Sequence, residues 1–102
     1  MKKLLLALSA TSLIAFGSAA NAAGDATAGQ AAYSTCVGCH GAAGEGGVGP
    51  KLAGHAPAKT IELLKKYRAG EQVGPMTSMM APMAAGLSDA DIENIAAYVA
   101  TL

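Results

Sequence analysis

The most regular hydrophobic pattern lies near the C-terminus, where apolar residues follow the i, i+3, i+4, i+7 spacing of one helix face. These residues are Ile92, Ile95, Ala96 and Val99. Ser88 precedes them, and Asp91 follows three positions later, as in a capping box with Asp in place of the usual Glu or Gln. The pattern predicts a helix that starts at Ser88 and packs this stripe inward.

A second helix is predicted over residues 57–69, with charged residues on the face opposite its apolar stripe. The stripe consists of Ile61, Leu64 and Tyr67, with Leu63 beside them. Pro57 suits the first turn of this helix, and Gly70 suits the position just past its end.

An N-terminal helix is predicted from Asp25 to about Cys36, because Asp25 is a good N-cap and several alanines follow it. We expect Ala32 and Tyr33 to face inward. Gly29 lies in the middle of this helix, where glycine costs about 1 kcal/mol relative to alanine. We interpret Gly29 as the site of a close helix–helix crossing, with a merely tolerated glycine as the alternative.

Glycine and proline interrupt the segments between these helices, 41–54 and 71–87, and both are predicted as irregular loops. The second loop is rich in methionine. Its methionines are Met76, Met79, Met80 and Met83. The sequence contains no strand-like alternating run and no internal repeat, so the predicted fold class is all-α.

Residues 1–22 have the organisation of a secretory signal peptide. A basic start at Lys2 and Lys3 precedes a mostly apolar run, and a small-x-small cleavage site follows at 20–22. The apolar run is short for a permanent bilayer anchor, and no basic stop-transfer flank supports the alternative of an uncleaved one. We therefore expect export to the periplasm and a single domain over residues 23–102.

The most informative motif is Cys36-Val37-Gly38-Cys39-His40, which contains both cysteines of the chain. C-x-x-C-H is the attachment motif of c-type haem. Two thiols on one helical turn can each form a thioether to a haem vinyl group, and the adjacent imidazole can then ligate the iron.

The composition also favours a central cofactor. The chain has no Trp, its single Phe lies in the leader at Phe16, and 13 residues are glycine. A domain this small buries barely enough apolar surface to be stable and usually needs an additional stabilising element. Loss of Lys2 and Lys3 with the leader takes the formal net charge from 0 to −2, and no basic patch indicates nucleic-acid binding.

The sequence resembles the small monohaem class I c-type cytochromes of bacteria over nearly all of residues 23–102. Four blocks carry the resemblance: 29–33 with the haem motif 36–41, the segment Gly49-Pro50-Lys51-Leu52-Ala53-Gly54, the methionine loop, and 87–92 with 96–98. The resemblance implies a small cytochrome c fold, with three to four short helices and loops wrapped around one covalently bound haem c.

The resemblance also implies roles for individual residues. Cys36 and Cys39 would form the thioethers, and His40 would be the proximal iron ligand. The carbonyl of Pro50 would accept a hydrogen bond from the other imidazole nitrogen of His40 and so raise its basicity.

The distal ligand is inferred from the same resemblance. In related chains the ligand methionine lies eight residues before the Ser or Thr that caps the last helix, and counting back from Ser88 gives Met80. The fallback is Met83. The other candidates are Met79, Met76 and His55, the last of which we expect in a surface loop.

His/Met ligation would fill both axial positions of the iron and raise its reduction potential. We therefore expect a soluble periplasmic single-electron carrier and not an enzyme. It would dock transiently on redox proteins, without a small-molecule substrate or stable membrane insertion. The alternatives are a fixed subunit of a larger dehydrogenase or oxidase, a five-coordinate haem sensor or peroxidase, and a thiol–disulfide oxidoreductase using Cys36 and Cys39.

Overall fold

The computed structural model describes residues 24–102, and the predicted signal peptide, 1–22, lies outside them. The described part of the chain is all-helical, which confirms the predicted fold class. Its five helices are α1 (Ala26–Tyr33), α2 (Val37–His40), α3 (Pro57–Arg68), α4 (Thr77–Ala84) and α5 (Asp89–Val99). None of the helices within 24–102 is long and apolar enough to cross a membrane.

The starts of α3 and α5 and the end of α3 agree with the prediction. At the start of α5, the Ser88 hydroxyl accepts a hydrogen bond from the Asp91 N–H at 3.0 Å. The Asp91 carboxylate in turn accepts one from the Ser88 N–H at 2.9 Å, which completes the predicted capping box. Pro57 occupies the first turn of α3, and Gly70 adopts a φ of +76° just beyond its end.

Helix α1 is shorter than predicted. Asp25 caps it as expected, since its side chain accepts a hydrogen bond from the Thr27 N–H at 2.9 Å. The helix ends at Tyr33, because the Tyr33 carbonyl accepts a tighter i+3 bond from the Cys36 N–H at 2.7 Å. The chain then turns through 34–36 and starts the separate one-turn helix α2.

Helices α1 and α5 cross at Gly29, which confirms the close crossing inferred from the sequence. A β-carbon on Gly29 would collide with the main-chain carbonyl of Asn94. The Asn94 side chain also accepts a hydrogen bond from the Asp25 N–H at 2.8 Å. Helix α5 therefore also fixes the N-cap residue of α1.

The hydrophobic core is formed by the apolar faces of three helices. Its buried cluster consists of Tyr33 from α1, Leu64 from α3, and Ile92, Ile95 and Val99 from α5. The predicted inward stripe of α5 is therefore buried in full. The Tyr33 and Tyr98 rings pack beside this cluster at a tilted angle, with their centroids 5.3 Å apart.

The prediction of a loop over 71–87 is wrong, because the segment contains α4. Pro82 lies inside this helix, where proline normally costs about 3 kcal/mol. The buried hydroxyl of Thr77 organises the start of α4: it accepts hydrogen bonds from the Val73 and Gly74 N–H groups and donates one to the Gly74 carbonyl. Together with the packing of α4 on α3, these contacts outweigh the local signals for a loop.

Replacing Gly29 by alanine should lower the free energy of unfolding by about 1–3 kcal/mol, because the added β-carbon forces α1 and α5 apart. Gly86→Ala is the matched control, since its β-carbon would meet no atom within 4 Å. The control should change that free energy by less than about 0.5 kcal/mol in guanidinium denaturation of the same protein. Equal effects of the two substitutions would contradict the close crossing.

Candidate haem-binding site

The single turn of α2 carries both cysteines and the histidine of the motif. The Cys39 and His40 N–H groups both donate to the Cys36 carbonyl, at 3.2 and 2.9 Å. In this turn Cys36 is half-buried, Cys39 is exposed, and His40 is only 7% exposed. Neither thiol is in a disulfide, and both line the same cavity as His40.

The environment of Cys36 does not favour a redox-active dithiol. Burial raises the pKa of the Cys36 thiol, the neighbouring Cys39 raises it further, and the Thr35 hydroxyl only partly opposes this. Catalytic dithiols instead rely on a depressed thiol pKa to supply a thiolate at neutral pH. Cys36 therefore lacks the low thiol pKa that the alternative function, a thiol–disulfide oxidoreductase, would require.

One nitrogen of His40 is held by the main chain. The His40 Nδ1 lies 2.8 Å from the Pro50 carbonyl oxygen, which can only accept a hydrogen bond. Nδ1 therefore carries the proton, and Nε2 keeps the lone pair that a metal ion would bind. The contact expected between His40 and Pro50 is thus present in the fold.

Gly49 permits the close approach of the Pro50 loop to the histidine. A β-carbon on Gly49 would lie 2.6 Å from Cε1 and 2.9 Å from Nδ1 of His40. The Gly49 N–H donates to the Cys39 carbonyl at 2.7 Å, which ties the loop directly to α2. The sequence marked Gly49 as a loop glycine and as part of the 49–54 segment that carries the resemblance, but no sequence signal placed it against His40.

Tyr33 links α1 to the end of α2. Its hydroxyl donates to the Gly41 carbonyl at 2.6 Å. Burial, with smaller contributions from Cys36, Glu45 and Tyr98, raises the pKa of Tyr33, so the hydroxyl stays protonated and keeps its donor role. The sequence predicted that Tyr33 faces inward but missed this bond, although a buried tyrosine hydroxyl usually requires such a partner.

A largely apolar cavity of about 250 Å³ adjoins these groups. Cys36, Cys39 and His40 line one part of it. The apolar part of the lining comes from Leu52, Leu63, Leu64, Tyr67, Ile95 and Val99. The cavity wall therefore includes members of the hydrophobic core.

All four methionines of the segment 71–87 also line the cavity. Met80 lies on the same helix face as the buried Thr77 and Ala84, at i, i+3 and i+7 spacing, and packs against the core. The more exposed methionines are Met76 at 42%, Met83 at 51% and Met79 at 54%.

This donor set fits a covalently bound haem. Two free thiols, a buried imidazole with one nitrogen already satisfied, and a partly buried thioether surround one apolar cavity. Comparison with known proteins agrees, since the sequence profile described as "Cytochrome c" matches residues 26–102. The chain belongs to the cytochrome c family.

Several curated relatives are small bacterial cytochromes. Cytochrome c-554(548) from Halomonas halodenitrificans is 46% identical over 78 residues, which cover 74% of this chain and 94% of that protein. Cytochrome c-554(547) from Halothiobacillus neapolitanus is 42% identical over 90 residues, covering 78% and 99%. Cytochrome c-553 from Nitratidesulfovibrio vulgaris is 34% identical over 105 residues, covering 100% of both chains.

Family membership confirms the predicted cofactor, because cytochromes c carry covalently bound haem c. It also supports the broader functional assignment, since the cytochrome c homologues of this chain are haem-based electron-transfer proteins.

The position of His55 in this cytochrome differs from the surface loop that we expected. His55 does lie in the loop before α3, but it is only partly exposed and lines the cavity. Its Nδ1 is buried and has no hydrogen-bond partner among residues 24–102.

Gly49→Ala should displace the His40 ring and lower the free energy of unfolding of the haem-loaded protein by about 1–3 kcal/mol, because its β-carbon overlaps the imidazole. Gly47→Ala is the control from the same loop, since its nearest contact would be an ordinary 3.5 Å. Proton NMR of the His40 ring should show a shift for Gly49→Ala only. Unchanged ring resonances in Gly49→Ala would contradict the role of Gly49.

Proposed function

We propose that this cytochrome is a periplasmic single-electron carrier with His40 and Met80 as the axial ligands of its haem. The observation that carries the proposal is that one apolar cavity is lined by both thiols, the buried imidazole and the inward-facing methionine of α4. The pattern of residues 1–22 supports export, with residues 23–102 as the functional domain.

Each residue of the site has a separate task in this proposal. Cys36 and Cys39 hold the haem by thioether bonds, His40 ligates through Nε2, and Met80 ligates through its thioether sulfur. The Pro50 carbonyl fixes the His40 ring and increases its basicity. When bound, the haem supplies a one-electron ferric/ferrous couple, whose potential His/Met ligation raises.

The same contacts favour a carrier over a haem sensor or peroxidase. A sensor or peroxidase needs an open axial position, and Met80 would have to leave the buried face of α4 to provide one. His40 is likewise held by the Pro50 carbonyl and confined by Gly49. Two axial side chains held in place by the fold keep structural change on electron transfer small.

Partner docking would use the apolar surface beside the cavity. The large hydrophobic side chains that both line the cavity and are exposed are Val48, Met76, Met79 and Met83. A small apolar contact of this kind suits a transient encounter with redox proteins. Charges contribute little to such an encounter, since several already pair locally, as in the Lys66–Glu62 and Arg68–Asp89 ion pairs.

Replacing Met80 by leucine should abolish the ferric sulfur-to-iron charge-transfer band and lower the reduction potential by roughly a few tenths of a volt, because a thioether ligand is lost. Met79→Leu and Met83→Leu are the matched controls and should keep both properties. Absorption spectroscopy and redox titration measure the two effects. Retention of the band in Met80→Leu, with its loss in Met83→Leu, would move the ligand to Met83.

The carrier role predicts that the purified reduced protein is oxidised by membranes or periplasmic extract of its own source. The rate should depend only weakly on ionic strength, because the formal net charge without the leader is a small −2. Stopped-flow absorbance over a range of salt concentrations measures this. Failure of every membrane and periplasmic fraction to oxidise the protein would contradict the carrier role, and a steep salt dependence would contradict apolar docking.

A further inference from the structure

The 41–54 loop is closed by two hydrogen bonds to a single carbonyl group. The Gly44 carbonyl accepts one from the Leu52 N–H at 2.9 Å and one from the Ala53 N–H at 3.0 Å. Gly44 is buried and has a φ of +66°, in the left-handed region that favours glycine. The first arm of the loop, 41–44, and its second arm, 50–54, are therefore joined at Gly44.

The second arm of the loop carries the carbonyl group that holds the histidine. Pro50, whose carbonyl oxygen lies 2.8 Å from the His40 Nδ1, comes only two residues before Leu52. On one side Pro50 is held by the hydrogen bond from the Gly49 N–H to the end of α2. On the other side it is held by the bonds to Gly44. A shift of the second arm away from Gly44 would therefore lengthen the contact between Pro50 and His40.

A leucine that follows α5 packs on this junction between the two arms. The main chain turns after α5, since the Leu102 N–H donates to the Val99 carbonyl at 3.1 Å. The Leu102 side chain lies against Gly44, because its Cδ1 would be only 3.0 Å from a β-carbon there. Leu52 and Leu102 are both partly buried and pack against the hydrophobic core. The junction is thus enclosed between the core and the Leu102 side chain.

We propose that Leu102 is a positioning residue for His40. By packing on Gly44, it keeps the second arm of the loop where the Pro50 carbonyl can hold the His40 ring, and it thereby sets the basicity of the imidazole. Leu102 does not itself line the cavity, so it acts only through these contacts. This inference rests on the proposed function, because it takes His40 as an axial ligand of the iron.

Redox titration of the haem-loaded Leu102→Ala variant tests the inference. The reduction potential should rise, because a weaker bond to Pro50 makes the His40 imidazole less basic and less able to stabilise ferric iron. Leu102→Met, which nearly conserves the side-chain volume, should restore the potential. Leu87→Ala is the matched control, since Leu87 is also a partly buried leucine on the core and does not line the cavity. It should lower the free energy of unfolding but leave the potential unchanged.

Proton NMR of the ferrous haem-loaded protein reports on the same hydrogen bond directly. The His40 Nδ1–H resonance should move upfield in Leu102→Ala, because a longer hydrogen bond deshields the proton less, and should stay in place in Leu87→Ala. The unsubstituted protein gives a readout that does not depend on the folding of any variant. It should show a nuclear Overhauser effect between a Leu102 methyl group and the Gly44 α-protons, and its absence would overturn the inference.

The outcomes separate this inference from the proposed function. A Leu102→Ala protein that is less stable, but keeps the potential and the His40 Nδ1–H resonance of the unsubstituted protein, would make Leu102 a core residue only and overturn the inference. Equal changes in Leu87→Ala would overturn it as well. In both cases a retained sulfur-to-iron band would leave the carrier proposal intact. Absence of covalent haem from the unsubstituted protein would contradict the proposed function itself.

Discussion

Helix α1 crosses α5 at a separation that requires glycine, because a β-carbon on Gly29 would overlap the main chain at Asn94. The position of α2, the turn that carries the proposed haem-attachment residues, follows from this crossing. It buries Tyr33 at the end of α1, where the Tyr33 carbonyl holds the Cys36 N–H and the Tyr33 hydroxyl holds the Gly41 carbonyl. Tyr33 therefore hydrogen-bonds both ends of the Cys36–Gly41 segment. Because Tyr33 is buried, these two bonds fix the positions of the cysteines and His40.

The hydrophobic core and the cavity that we propose for the cofactor share several residues. Tyr33, Leu64, Ile95 and Val99 belong to the buried cluster and also line the cavity. A domain of this size buries little surface by itself, so an apolar group held against these side chains contributes to folding as well as to redox chemistry. The hydrogen bond between His40, a proposed iron ligand, and the Pro50 carbonyl also joins the 41–54 loop to α2.

Sequence signals with a local physical cause predicted the structure well. Caps and breakers at Asp25, Ser88 and Gly70 placed helix ends, since capping depends on residues close in the chain. Tertiary effects were not predictable in this way. Helix α4 forms despite Pro82 because of packing on α3 and the bonds of Thr77, and the environment of His55 depends on a cavity that only the folded chain creates.

The most direct test of the central claim is an absorption spectrum, oxidised and reduced, of the unsubstituted full-length chain exported in a host that has haem-attachment machinery. The account predicts haem that stays bound after acid–acetone extraction, sharp low-spin bands in both oxidation states, and a weak ferric sulfur-to-iron band from His/Met ligation. A high-spin spectrum would contradict the six-coordinate carrier, and a folded, colourless protein would contradict haem binding altogether.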